Sequence, residues 1–162
     1  MLSVMLSIVD DFPEYQFVIA GAPSQEYSFY SAFLTSDNCH FISNRTYDLL
    51  SISYAALVTS GTATLETALF KVPEVVCYKG SWLSYQIAKR IVTLKYISLV
   101  NLIMDKEVVK ELIQEDLTTK HLSIELKKLL EDPTKQAAIK ADYTALKQVL
   151  TTGHKATEVA AG

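Results

Sequence analysis

Apolar residues in the first two thirds of the chain are gathered into short runs with little polar alternation. Runs of this kind are typical of strands in a parallel sheet, because helices cover both faces of such a sheet. The five predicted strands are Gln16–Ala20, Cys39–Ile42, Ala55–Thr59, Glu74–Tyr78 and Ile97–Val100.

Between these runs, apolar residues recur at helical spacing, as Leu83, Ile87 and Ile91 do. The predicted helices are Ser24–Leu34, Thr46–Ser53, Thr62–Lys71 and Trp82–Leu94. Strands that alternate with helices predict an α/β fold, with a three-layer parallel sheet and right-handed crossovers.

The last third of the chain has a different pattern, which from Val108 onward predicts helices only. Asp132 followed by Pro133 is typical of a helix start, and Gly153 is expected to end that helix. The predicted core-facing stripe of this helix is Ile139, Tyr143, Leu146 and Leu150. We expect a single domain over residues 1–162, with residues 108–162 as its helical tail. Because both ends of the chain have a helical pattern, we expect this domain to be part of a longer protein.

Composition narrows the class of protein. With 162 residues, 49% of them hydrophobic, the chain can bury the core of one domain. A net charge of −3 gives no electrostatic reason to expect nucleic acid as a partner.

Cys39 and Cys77 lie in separate strand-like runs without metal-ligand spacing, which favours buried, reduced thiols in a cytoplasmic protein. The apolar N-terminal segment is too short to span a bilayer and lacks a basic leader.

The turn Ser60-Gly61-Thr62 joins a predicted strand to a predicted helix, which is where open α/β sheets bind ligands. Gly61 allows the backbone to approach a ligand closely, and the amides of the helix start suit a phosphate. The Ser60 and Thr62 hydroxyls add hydrogen-bond donors. The turn has neither a Walker sequence nor a G-x-G-x-x-G fingerprint. The alternative is a plain turn in which Ser60 or Thr62 caps the helix.

Glu66 lies four residues after Thr62, whereas a capping box requires a spacing of three. Helical side chains lean toward the N-terminus, so Glu66 is expected beside Thr62. A carboxylate there could accept hydrogen bonds from a ribose diol, and with the phosphate donors it would form a nucleotide site. The alternative for Glu66 is a solvated surface charge.

The remaining polar residues form no recognisable catalytic or metal constellation. His40, His121 and His154 are scattered, and no Ser-His-Asp order or paired carboxylates stand out. We therefore predict no cofactor, no metal and no catalytic residue in this chain.

The segment Lys79–Tyr96 combines aromatic and basic side chains. It could form an edge for an anionic lipid surface or an acylated substrate, with an ordinary amphipathic helix as the alternative. The candidate membrane or acyl contacts are Trp82, Lys89, Arg90 and Lys95.

Residues Ala56–Asp116 closely resemble the lipid-A-disaccharide synthases of Gram-negative bacteria, and the flanks resemble them more loosely. Four ordered elements carry the resemblance: Ser-Gly-Thr-x-Thr-Leu-Glu, a Tyr with Trp-Leu and Lys-Arg, Tyr-x-Ser-Leu-x-Asn and Val-x-Glu-Leu-x-Gln-Glu. The resemblance implies an inverting GT-B type glycosyltransferase with two Rossmann-like domains. Such an enzyme joins UDP-2,3-diacylglucosamine to 2,3-diacylglucosamine 1-phosphate in lipid A biosynthesis and releases UDP.

The resemblance further implies that this chain is the C-terminal, donor-binding half of such an enzyme, peripheral at the inner membrane. The general base is then expected in a separate N-terminal acceptor domain. The uracil is expected to be read by backbone groups near Ile42–Arg45. The residues implied in nucleotide-sugar binding are Ser60, Gly61, Thr62, Thr64, Glu66, Asn101, Glu111 and Gln114. Val100 stands where the family usually has proline, which leaves the placement of Asn101 less constrained.

Two other functions remain open at this point. One is another UDP-sugar enzyme of GT-B architecture, such as an N-acetylglucosaminyl transferase or an epimerase, against which the "SLVN" and "KELIQE" segments argue. The other is a non-enzymatic, flavodoxin-like nucleotide-binding module. A receiver of that kind would need clustered acids at the end of its first strand, where this chain has "VIAGAP".

Overall fold

The computed structural model describes residues 1–59, 61–80 and 95–161, with side chains described through Gly153. The strands of these ranges are β1 (Phe17–Gly21), β2 (Cys39–Ser43), β3 (Ala56–Thr59), β4 (Glu74–Tyr78) and β5 (Lys110–Ile113). The α-helices are α1 (Leu2–Leu6), α2 (Tyr27–Ser31), α3 (Thr46–Ile52), α4 (Thr62–Leu69), α5 (Leu99–Met104), α6 (Thr119–Glu131) and α7 (Pro133–Ala161). Short 3₁₀ turns cover Val9–Asp11 and Gln114–Asp116.

Every strand pairing in this part of the chain is parallel. β1 pairs with β2, and β4 lies between β3 and β5 in a second sheet. The first four residues of β4 are fully buried, although successive residues of a strand point to opposite faces. Both faces of the second sheet are therefore covered at β4, which confirms the predicted α/β architecture with parallel strands and flanking helices.

Four of the five predicted strands agree with β1 to β4 to within one residue at each end. The strand predicted at Ile97–Val100 is wrong, because Ser98 caps α5 there with its hydroxyl, which accepts a hydrogen bond from the Asn101 amide. A short apolar run does not distinguish a buried strand from the first turn of a helix. The fifth strand is β5, within the region where helices alone were predicted.

The predicted helix starting at Asp132-Pro133 is confirmed, and the Asp132 side chain accepts hydrogen bonds from the amides of Thr134 and Lys135. The predicted stripe of this helix is also confirmed. Ile139, Tyr143 and Leu146 are buried, and Leu150 packs against the core. Gly153 does not end the helix, which continues to Ala161. A glycine costs a helix only about 1 kcal/mol and need not terminate it.

Two of the predicted helices agree closely with α3 and α4, and the helix predicted at Ser24–Leu34 is shorter, since α2 covers Tyr27–Ser31. The helix predicted at Trp82–Leu94 lies outside the described residues. Cys39 and Cys77 are free, buried thiols as predicted, and burial raises the pKa of Cys77 to about 12.

A buried polar pair joins β4 to α7. Glu74 at the start of β4 is completely buried, and its Oε1 accepts a hydrogen bond of 3.5 Å from the Tyr143 hydroxyl. Its other oxygen, Oε2, has no hydrogen-bond partner within the described part of the chain. Burial raises the pKa of Glu74 well above its usual range, and the hydrogen bond from Tyr143 opposes this shift only partly.

Candidate functional site

The turn between β3 and α4 depends on the backbone of Gly61. This residue has φ +98° and ψ −154°, a conformation that is essentially restricted to glycine. A Cβ atom placed there would meet no atom of the described residues within 4 Å, so within this part of the chain the requirement for glycine is conformational and not steric. Ser60 lies outside the described residues.

The two threonines of the motif have different environments. Thr62 is the first residue of α4 and is exposed, whereas Thr64 is completely buried. The Thr64 hydroxyl and amide both donate to the Gly61 carbonyl oxygen, at 2.9 and 3.2 Å. Gly61 itself is the N-cap residue, so Thr62 does not cap the helix. Thr64 therefore stabilises the turn, whereas the Thr62 side chain is exposed at the start of the helix.

Glu66 lies one helical turn after Thr62 and is partly exposed. Its Oε1 accepts a hydrogen bond of 3.2 Å from the Tyr47 hydroxyl. Tyr47 belongs to the first turn of α3, and its ring stacks on Phe70 with centroids 5.5 Å apart and planes 23° apart. Sequence reasoning missed Tyr47, for which the only signal was an aromatic residue in the first turn of the helix predicted at Thr46–Ser53.

Asn101 and Glu111 form one hydrogen-bonded network behind the start of α5. Asn101 is completely buried, and its Nδ2 donates to the Val109 carbonyl at 2.8 Å and to Glu111 Oε1 at 2.9 Å. Its Oδ1 accepts from the amides of Val108 and Val109, at 2.8 and 3.0 Å. All four hydrogen-bonding positions of the Asn101 amide are therefore in use.

Glu111 lies in β5 and is partly exposed. Besides Asn101, its carboxylate accepts hydrogen bonds from the amides of Ile97 and Ser98, at distances of 2.9 to 3.3 Å. This carboxylate therefore fixes the chain entering α5 against the edge strand of the sheet. Gln114 follows β5 directly, with φ +50°, and its Nε2 donates to the Gly80 carbonyl at 3.1 Å.

Three neighbouring parallel strands bring the candidate residues to one edge of the sheet. The carboxyl end of β3 is followed by Gly61, that of β4 by Gly80 and that of β5 by Gln114. The carboxyl edge of a parallel sheet is the usual ligand site of open α/β folds. Asn101 and Glu111 are exceptions among the candidates, because Asn101 lies in α5 and Glu111 pairs with Val76 in the middle of β4, away from the carboxyl edge.

Of the four predicted membrane or acyl contacts, only Lys95 lies within the described residues. Its Nζ lies 5.4 Å from the centroid of the Tyr96 ring. Trp82, Lys89 and Arg90 lie outside the described residues. None of the helices in the described part of the chain combines the length and apolar character needed to cross a membrane. The described residues contain no group of three or more His, Cys, Asp or Glu side chains that could hold a metal ion.

Parallel strands with flanking helices, and a glycine turn leading into a helix at their carboxyl edge, define a Rossmann-like α/β domain of the kind found in GT-B folds. Residues 2–161 match the family model described as lipid-A-disaccharide synthetase. The chain therefore belongs to the lipid-A-disaccharide synthetase family.

Relatives named lipid-A-disaccharide synthase support this membership. The protein of Anaeromyxobacter dehalogenans is 36% identical over 140 residues, which are 85% of this chain and 36% of the relative. That of Geobacter sulfurreducens is 37% identical over 110 residues, or 68% of this chain and 29% of the relative. The protein of Neisseria meningitidis is 44% identical over 96 residues, which are 59% of this chain and 25% of the relative. The matched segments thus span only 25% to 36% of the length of these relatives.

Proposed function

We propose that this chain is the donor-nucleotide-binding domain of a lipid-A-disaccharide synthase, placed in its C-terminal half. The reaction is the inverting transfer of a diacylglucosaminyl group from UDP-2,3-diacylglucosamine to 2,3-diacylglucosamine 1-phosphate, with release of UDP. One observation carries the proposal beyond family membership. The turn before α4 has a backbone conformation at Gly61 that only glycine readily adopts, and it lies at the carboxyl edge of the sheet. The Glu66 carboxylate lies one helical turn further along α4.

The diphosphate is assigned to the turn. The first amides of a helix have no intrahelical acceptors, and the positive end of the helix dipole favours an anion there. Gly61 brings the backbone close to the phosphates, and the exposed Thr62 hydroxyl can donate to them. Thr64 is buried and does not contact the phosphates in this assignment; it stabilises the turn through its hydrogen bonds to the Gly61 carbonyl. Ser60 is assigned to the same phosphates from the sequence motif.

The ribose is assigned to Glu66. Within the described residues, Tyr47 is the recorded donor to this carboxylate, and it uses only Oε1. A carboxylate accepts about four hydrogen bonds, so capacity remains for both hydroxyl groups of a ribose diol. A phosphate beside Glu66 would be repelled, which favours an order of diphosphate at the turn and ribose one helical turn further on.

The donor sugar is assigned to the side of the site formed by β5, where Gln114 follows the carboxyl end of the strand and Glu111 lies within it. Asn101 has no free hydrogen-bonding position, so its contribution is to hold Glu111 and the Ile97–Ser98 backbone in place. The acceptor and the general base are assigned to a separate acceptor domain. Because proximity of two substrates supplies a large part of a transfer rate, this chain alone is expected to lack transferase activity.

The lipid character of both substrates leads us to propose a peripheral position at the inner membrane. The basic and aromatic residues Trp82, Lys89, Arg90 and Lys95 are the proposed contacts with anionic lipid or acyl chains.

Calorimetric titration of the chain with UDP and with pyrophosphate tests the proposal. Glu66→Gln keeps the helix-forming character of the side chain but removes the charge. We expect UDP to bind this variant roughly tenfold to a hundredfold more weakly, the equivalent of about 1.5–3 kcal/mol for hydrogen bonds to a charged group. Pyrophosphate should bind at least as well as before. Equal binding of UDP by both proteins would remove Glu66 from the nucleotide site.

A further inference from the structure

We infer that Tyr47 is a positioning residue that holds the Glu66 carboxylate in the orientation required for ribose binding. This inference rests on the proposed function of Glu66. The Tyr47 hydroxyl donates to Glu66 Oε1 at 3.2 Å, and the Tyr47 ring stacks on Phe70.

Tyr47 contacts Glu66 within α4 and Phe70 at the end of the same helix. Glu66 and Phe70 are four residues apart, and the Phe70 amide donates to the Glu66 carbonyl, so their side chains lie one turn apart. The Tyr47 ring, carried by α3, contacts Phe70 while its hydroxyl reaches Glu66. Stacking fixes the ring, and the fixed ring fixes the position of the hydroxyl.

Core packing does not account for this arrangement, because Tyr47 is 59% exposed and Phe70 is 38% exposed. A glutamate side chain loses considerable rotamer entropy when a ligand immobilises it. A hydrogen bond that holds the carboxylate before the ligand arrives lowers that cost, which is the usual benefit of preorganisation. Tyr47 occupies one acceptor position on Oε1 and leaves Oε2 for the diol.

The variant Tyr47→Phe removes the hydroxyl and retains the ring that stacks on Phe70. Tyr27→Phe is a matched control, because Tyr27 is also a helical tyrosine, 58% exposed, with its ring against Phe41. Titrations would use UDP, 2′,3′-dideoxy-UDP and pyrophosphate, on each variant and on Tyr47→Phe combined with Glu66→Gln. Thermal unfolding of each protein checks that it remains folded.

We expect Tyr47→Phe to weaken UDP binding about twofold to tenfold, the equivalent of one net hydrogen bond. Binding of 2′,3′-dideoxy-UDP and pyrophosphate should not change, and the Tyr27 variant should match the wild type. In the Glu66→Gln background, Tyr47→Phe should have a smaller effect on UDP binding, because the charged acceptor that it positions is gone.

Four results would overturn the inference. Unchanged or tighter UDP binding by Tyr47→Phe would show that the hydroxyl does not assist the site. Equal weakening of UDP and its dideoxy analogue, or equal weakening in the Glu66→Gln background, would mean that Tyr47 acts independently of Glu66 and the diol. These first three results leave the proposed role of Glu66 intact, provided that Glu66→Gln alone weakens the binding of UDP. If Glu66→Gln alone has no effect, the proposed ribose site fails and the inference fails with it.

Discussion

Replacement of Asn101 by aspartate tests whether the network behind α5 stabilises the site as its geometry indicates. The substitution preserves the shape of the side chain but exchanges the Nδ2 donor for an oxygen. That oxygen would face two acceptors, the Val109 carbonyl at 2.8 Å and Glu111 Oε1 at 2.9 Å, in a position without solvent exposure. The buried Val109 carbonyl and the partly exposed Glu111 carboxylate would lose their donor, and an ionised group would also be repelled by Glu111.

Each buried group left unpaired costs about 1–3 kcal/mol, and charged groups cost more. We therefore expect Asn101→Asp to lower the free energy of unfolding at pH 7 by about 3 kcal/mol or more, a large part of the 5–15 kcal/mol typical of a domain. At lower pH the introduced carboxyl group can take up a proton and donate one hydrogen bond, so the loss should be smaller at pH 5 than at pH 7. Urea unfolding followed by circular dichroism measures both values.

A second substitution separates a specific network from general damage. Glu111→Gln can place its amide nitrogen at the Oε1 position and donate toward the introduced carboxyl, while its oxygen at the Oε2 position still accepts from the Ile97 amide. The double variant should therefore be more stable than the sum of the single losses predicts, by about 1–3 kcal/mol. Asn44→Asp, at an exposed turn with φ +57°, is the control for the same chemical change. A cost below about 1 kcal/mol for Asn101→Asp, or additive losses in the double variant, would refute this reasoning.

Three further predictions follow from the turn, the buried carboxyl group and the basic segment. Gly61→Ala should lower the free energy of unfolding by about 1–3 kcal/mol and weaken both UDP and pyrophosphate, because φ +98° strains any side chain; calorimetry showing unchanged binding would contradict it. Burial raises the pKa of Glu74 above its usual 4.5. The stability that Glu74 contributes is therefore fully present below pH 4.5 and is lost as the pH rises toward the raised pKa, by up to about 1.4 kcal/mol per pH unit. Since Glu74→Gln cannot ionise, urea unfolding should show its stability relative to the wild type increasing with pH, and a difference independent of pH would refute the assignment. Substitution of Lys89 and Arg90 by glutamate should reduce co-sedimentation with anionic liposomes, since each basic residue near such a surface contributes about 1 kcal/mol; equal sedimentation would remove this segment from the membrane proposal.

The sequence predicted the parts of the fold that depend on local pattern. β1 to β4 were predictable because each is a short, largely apolar run, and the glycine turn before α4 was predictable from its place after β3. β5 was missed because Lys110 and Glu111 interrupt the apolar pattern. An edge strand has only one strand neighbour and tolerates such residues.

The candidate site was predictable only where one helix carries its residues. Gly61 and Glu66 belong to one turn and one helix, so spacing alone relates them. The contact between Tyr47 and Glu66 joins residues 19 positions apart, and the contact between Glu111 and Ile97 depends on how β5 lies beside the start of α5. Contacts of this kind are set by tertiary packing, which residue periodicity does not encode.

The most direct test of the central claim is an amide NMR titration of the isotopically labelled chain with UDP. We predict saturable shifts concentrated on the amides of Gly61 to Glu66 and on Gln114, at the carboxyl edge of the second sheet. No saturable shift would contradict the claim, and so would shifts centred on another surface. One such surface is the open hollow on α6 and its end, which is lined by Ile124, Lys127, Lys128, Glu131 and Asp132.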